Sequence, residues 1–185
     1  FRLDMQTEQA YMPMPYSRFK DNYLVDSMYQ YIDQVIQKHK PSVIFTLDNI
    51  LGGYGNPDHV LVSQLVSKYC KDHKNDDGFS VKKIYQAVFA PIQGKTVMDD
   101  MPVYHEAKKV YQCDGPPEPT VEFNISSYSR IKKEALLAYT TEQNSLTKVW
   151  PYYNWYPHWI YFNIFDREYF NVIDIDELDK QNIFL

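Results

Sequence analysis

The sequence predicts a layered α/β fold in a single domain over 1–185, and three observations carry that expectation. Short apolar runs of the kind buried in a parallel sheet, such as Val43-Ile44-Phe45-Thr46, alternate with stretches whose apolar residues recur at helical spacing. The run at Val43 ends in the Gly-rich segment Gly52-Gly53-Tyr54-Gly55-Asn56-Pro57-Asp58-His59, the place where open α/β sheets bind ligands. A chain of 185 residues with 44% apolar and 23% charged residues can bury one full core.

Phe1-Arg2-Leu3-Asp4-Met5 reads as a strand. Leu24, Met28, Tyr31, Ile32, Val35 and Ile36 then mark a helix over 23–38, with Asp21 or Asn22 as its start signal. After the strand at Val43, three of the six glycines fall within four residues and let the backbone turn tightly and approach a ligand. Asn56 suits the cap of the next helix, 57–71, and Pro57 suits its first position, where a missing N–H costs nothing. That puts Asp58 and His59 in the first helical turn. The Asn75-Asp76-Asp77-Gly78 turn leads to a strand over 81–90. The region 94–119, with Pro102, Pro116, Pro117 and Pro119, reads as a long irregular connection. Val121, Phe123 and Ile125 alternate as a half-buried strand, and Ser126 or Ser127 caps a helix to about Tyr139. Strands separated by helices imply right-handed crossovers. No internal repeat is visible.

A net charge of −5 gives no basic footprint for nucleic acid or an anionic membrane. Cys70 and Cys113 are too far apart in sequence to suggest a disulfide framework or a cysteine zinc site, and Cys70 reads as a small apolar packing residue. No apolar run approaches the roughly 18 residues that span a membrane. His39, His73 and His105 read as solvated. His158 lies in the aromatic cluster from Trp150 to Trp159, whose rings suit either packing of a loop onto the domain or contact with a sugar. On local pattern an Asp-His pair after a turn is a cap with a surface histidine or part of a metal site.

The segment from Pro41 to Asp48, followed by Gly52 to His59, closely resembles the second signature of the PIG-L/LmbE-like zinc de-N-acetylases. That signature is a proline, a run of valine-like residues, Thr-x-Asp, then Gly-Gly-Tyr-Gly-His-Pro-Asp-His, and Asn56 stands at the place of its first histidine. Val121 to Ile125, Lys132, Ala135-Leu136, Tyr139 to Gln143, and Glu168-Tyr169-Phe170 are similar to its later patterns in the same order. The first signature, His-Pro-Asp-Asp-Glu, does not occur here, so the resemblance is to the part of the domain that follows it.

The resemblance implies a Rossmann-like three-layer α/β fold with a mostly parallel sheet, here lacking its N-terminal strands. It implies a zinc-dependent hydrolase that removes the N-acetyl group from an amino sugar or sugar conjugate. His59 is then the metal ligand, with the other zinc ligands expected from the absent N-terminal motif. Asp58 partners the proton-handling groups, and Tyr54 reaches toward the acetyl carbonyl. Asn56 has an amide that can donate a hydrogen bond but cannot serve as a general acid. A slower enzyme, one whose acid comes from elsewhere, and a catalytically silent carbohydrate-binding member of the same fold all follow from that exchange. The aglycone, the oligomeric state and the compartment are not legible in the sequence.

Overall fold

The computed structural model describes residues 3, 12–89 and 98–185. Most of the strand expected at Phe1 to Met5 lies outside the described residues. The α/β class is borne out: four strands, β1 (Val43–Leu47), β2 (Lys83–Val88), β3 (Val121–Asn124) and β4 (Arg167–Asp174), form one sheet in the order β1-β2-β4-β3. Seven α-helices accompany it among the described residues: α1 (Phe19–Asn22), α2 (Val25–His39), α3 (Pro57–His73), α4 (Pro102–Tyr111), α5 (Ser129–Ala138), α6 (Gln143–Val149) and α7 (His158–Ile164).

The sheet is mixed, which corrects the expectation of a mostly parallel one. β1 and β2 pair in parallel across the α3 crossover, but β4 runs back between β2 and β3 and pairs antiparallel with both. The reversal matters for the site. It brings the carboxyl ends of β1 and β2 to the same edge as the amino end of β4, so Leu47, Val88 and Arg167 close one end of the sheet.

One core lies between α2, α3 and the sheet, from Ile36, Tyr69, Cys70, Ile84, Ile173 and Leu178. Cys70 is buried there, as its packing role requires, and burial pushes its thiol up to about 12. A second core joins α1, α3 and α4 through Phe19, Tyr23, Leu61, Leu65, Tyr104 and Ala107. A third, smaller one holds α5 and α7 with Tyr153 and Phe162. On the sheet face opposite α3, a row of rings crosses all four strands, Phe45 to Tyr85 to Phe170 to Phe123, at 5.1, 5.9 and 5.8 Å between centroids. Phe45 remains 64% exposed at the end of that row.

Helix α2 begins at Val25 with no side-chain cap, because Asp21 and Asn22 belong to the short α1 and Tyr23 is extended between the two. The expected irregular stretch 94–119 contains α4, a second correction. Pro102 occupies its first turn, and Tyr104, Ala107 and Tyr111 are buried at spacings of three and four. Proline initiates a helix at that position and breaks one only further in. The residues of that stretch before Met98 lie outside the described ones.

Ser126 and Ser127 do not cap α5 but form a single 3₁₀ turn before it, with Asn124 Oδ1 accepting from the Ser126 N–H at 3.1 Å. No helix among the described residues is long and apolar enough to cross a membrane.

Candidate functional site

The carboxyl end of β1 is organised by Asp48, which is fully buried. Its Oδ1 accepts from the N–H groups of Ile50 at 3.1 Å and Leu51 at 2.6 Å, and Oδ2 from Gly53 at 2.6 Å. One carboxylate therefore folds the start of the Gly-rich loop. Burial raises its pKa above the usual 3.8, against the lowering effect of the backbone donors of Leu51, Gly53, Ile50 and Gly52. An aspartate directly after an apolar strand and ahead of glycines is a local turn signal, and sequence reasoning placed Asp48 in the signature without giving it this role.

Two of the glycines are held close against neighbouring protein. A Cβ on Gly55, at φ +104°, would stand 2.3 Å from Ala107 Cβ of α4, and one on Gly52, at φ +56°, would stand 2.6 Å from His59 Cβ. Both positions need glycine on conformation and on space. The tight passage at Gly52 also sets its carbonyl 3.0 Å from His59 Nδ1. A carbonyl only accepts, so Nδ1 carries a hydrogen, and in the neutral ring the lone pair is then on Nε2.

Asn56 caps α3 as the sequence predicts: its Oδ1 accepts from the Asp58 N–H at 2.9 Å, with Pro57 next in line. The amide nitrogen of the same side chain donates across 3.5 Å to the Tyr54 hydroxyl oxygen. Replacing Asn56 with alanine removes the cap and should lower stability by about 1 kcal/mol, whereas Asn56→Ser should recover most of it. Urea denaturation measures both, and equal stability of wild type and the alanine variant would remove the cap from the account.

Asp58 and His59 are half-buried in the first turn of α3 and line a cleft of 460 Å³ with Phe45, Thr46 and Leu47 of β1. Tyr23, 35 residues earlier, donates its hydroxyl to Asp58 Oδ1 at 2.5 Å. Nothing local in the sequence announces that partner. The Tyr54 ring meets the His59 ring edge-on at 5.6 Å. The four predicted site residues, Tyr54, Asn56, Asp58 and His59, thus share one loop and one helix start. Gln64, on the buried face of α3, secures the arrangement from behind: its Nε2 donates to the Asn49 carbonyl at 2.5 Å, and its Oε1 accepts from Phe184 N–H at 3.0 Å.

The other histidines are accounted for locally. His73 Nδ1 lies 2.6 Å from Asp76 Oδ2, His105 Nε2 lies 2.7 Å from the Asp99 carbonyl, and His39 is exposed at the end of α2. His158, at the start of α7, pairs with the Ser129 hydroxyl at 3.0 Å. The aromatic cluster divides. Tyr153 is fully buried and donates to Gln143, while Tyr152, Trp155, Tyr156 and Trp159 are exposed.

Fold and cleft together define a class: an α/β domain with a mixed sheet and an open cleft at the carboxyl end of β1, the place where open α/β sheets commonly bind ligands. No family model, curated protein or solved structure matches the chain.

Proposed function

We propose that this domain belongs to the PIG-L/LmbE-like group, with its Rossmann-like three-layer plan, and takes part in removing the N-acetyl group from an amino sugar or sugar conjugate. The observation that carries the reading is the pairing of an imidazole and a carboxylate at one strand end. His59 has Nδ1 committed to the Gly52 carbonyl and stands beside Asp58 in a single open cleft. Metal-binding histidines use the same device, in which a backbone acceptor fixes the tautomer and leaves Nε2 to the metal.

The donor set fits zinc in kind but not in number, because no group of three or more His, Cys, Asp or Glu side chains converges among the described residues. A catalytic zinc takes three protein ligands. By the resemblance, the balance falls to the His-Pro-Asp-Asp-Glu signature, which this sequence does not contain. β1 offers it a place, since among the described strands it pairs on one side only and presents the apolar edge Val43–Leu47 beside the cleft. Zinc, when bound, supplies an activated water and polarises the amide carbonyl.

The chain's own residues supply the rest. Asp58, held by the Tyr23 hydroxyl, orients the neighbouring groups and handles protons. Asn56 donates to the oxygen of Tyr54, which leaves the Tyr54 O–H to donate to the oxyanion. Asn56 itself is committed to capping α3 and cannot protonate the leaving amine. This favours, as the second reading, a catalytically silent sugar-binding relative.

Acetate release from a panel of N-acetylglucosaminides, run beside metal analysis of the purified protein, tests the proposal. Zinc in stoichiometric amount with acetate release supports the hydrolase, and sugar binding without acetate supports the silent binder. Removing one oxyanion donor typically costs about 10²–10³ in rate, so Tyr54→Phe should lower kcat by that factor with zinc content unchanged. A rate within about threefold of wild type corresponds to less than about 1 kcal/mol and would return Tyr54 to packing.

A further inference from the structure

A second cavity opens at the same end of the sheet, on the face opposite α3. We infer that this pocket, walled by Trp150 and the Lys132–Glu168 pair, seats the pyranose ring of a neutral N-acetylated amino sugar. The inference rests on the reaction class proposed above and names a ring-binding subsite for it.

The floor comes from three neighbouring strands in register: Leu47 of β1 opposite Ala87 of β2, and Ala87 opposite Phe170 of β4. A methyl group between two large side chains leaves the hollow, whose volume is 270 Å³. Sites for drug-sized ligands run from about 300 to 1,000 Å³, so this one takes a single substituted ring.

Position ties the pocket to the cleft. Leu47 lines both cavities. Phe89, another wall of the pocket, packs so closely under the Gly-rich loop that a Cβ on Gly53 would lie 3.1 Å from its ring. The two cavities therefore meet at the end of β1, beside the loop that carries His59 and Asp58.

The chemistry of the walls is divided as a sugar's surface is divided. Leu47, Ala87, Phe170 and the Trp150 ring offer apolar surface to a C–H face. At the other side Lys132 Nζ lies 2.5 Å from Glu168 Oε1 and 5.4 Å from the centre of the Trp150 ring. The two side chains are only 25% and 32% exposed. Half-buried ion pairs contribute little to stability. Here the pair gives an otherwise apolar pocket both ammonium donors and a carboxylate acceptor for neighbouring hydroxyls. Lys132 and Glu168 cancel in charge, and Arg167 on the rim is paired with Glu122. With both cations of the described lining paired, the pocket suits a neutral sugar and not a sugar phosphate.

The test measures binding and turnover separately, using methyl N-acetyl-glucosaminide as the probe. Saturation-transfer NMR titration gives Kd, and acetate release gives KM and kcat, for wild type, Ala87→Leu and Glu168→Gln. Ala87→Leu fills the hollow and should weaken binding and raise KM at least about tenfold. Glu168→Gln keeps the shape, guards against a folding failure of the first variant, and should weaken binding several-fold. If the probe binds wild type and both variants lose affinity but wild type releases no acetate, the subsite stands and the hydrolase reading falls. If acetate is released and both variants keep wild-type Kd and KM, the hydrolase reading stands and the subsite is overturned. Failure of the probe to bind wild type at all also overturns it.

Discussion

His59→Ala should remove zinc and acetate release together. The side chain contributes the one imidazole of the cleft, its Nδ1 tied to the Gly52 carbonyl at 3.0 Å and its other nitrogen left with a lone pair. Mutating an outer partner of a metal ligand typically costs about 10–100-fold in affinity or activity, so loss of the ligand itself should exceed about 100-fold. The fold should persist. Only one hydrogen bond to a loop carbonyl is lost, about 1 kcal/mol, and Asp48 still holds the start of that loop. Metal content by mass spectrometry and acetate release on the same preparation decide the matter. Full zinc with full turnover in the variant would remove His59 from the site, and with it the observation on which the functional reading stands.

Asp48→Ala should destabilise the fold by about 3 kcal/mol or more. Its two carboxylate oxygens accept from the backbone N–H groups of Ile50, Leu51 and Gly53 in a buried setting. Leaving a buried donor without a partner costs about 1–3 kcal/mol each. Water entering the enlarged space would offset part of that sum, which is why the expectation sits near its lower end. Asp48→Asn retains one acceptor oxygen and should fall between the variant and wild type. Urea denaturation followed by circular dichroism reads the difference. A loss under about 1 kcal/mol for the alanine variant would show that the close contacts of Gly52 and Gly55 hold the loop without the carboxylate. Because the same loop presents Gly52 to His59, the alanine variant should also lose activity, through position and not through chemistry.

How far the site was legible follows from how local its parts are. Asn56, Pro57, Asp58 and His59 are consecutive, and the rule that joins an N-cap to the second residue of its helix acts within two residues. Tyr54 and Asn56 meet across the same turn. Tyr23 on Asp58 spans 35 residues, and Lys132 on Glu168 spans 36. Each of those pairs joins side chains from separate elements, and no local pattern at either residue points to the other.

Alone, the sequence determined the α/β class, helices over 23–38 and 57–71 that the structure places at Val25–His39 and Pro57–His73, the buried strand before the Gly-rich loop, and the order of cap, proline, carboxylate and imidazole at its end. These depend on periodicity, glycine conformation and capping, which operate over a few residues. The tertiary structure decided the place of β4. In sequence Glu168-Tyr169-Phe170 only resembles a family pattern, and the antiparallel insertion of β4 between β2 and β3 depends on burying Phe170 and Ile173 against residues some 85 positions away. It also decided that Pro102 begins a helix, because Tyr104 and Ala107 pack against the glycine loop and α3. The pocket at Trp150 is likewise tertiary. Only when β4 runs backward do Lys132, Glu168 and Ala87 meet, and strand direction is set by which faces of the sheet can be covered, a property of the whole chain that no short window contains.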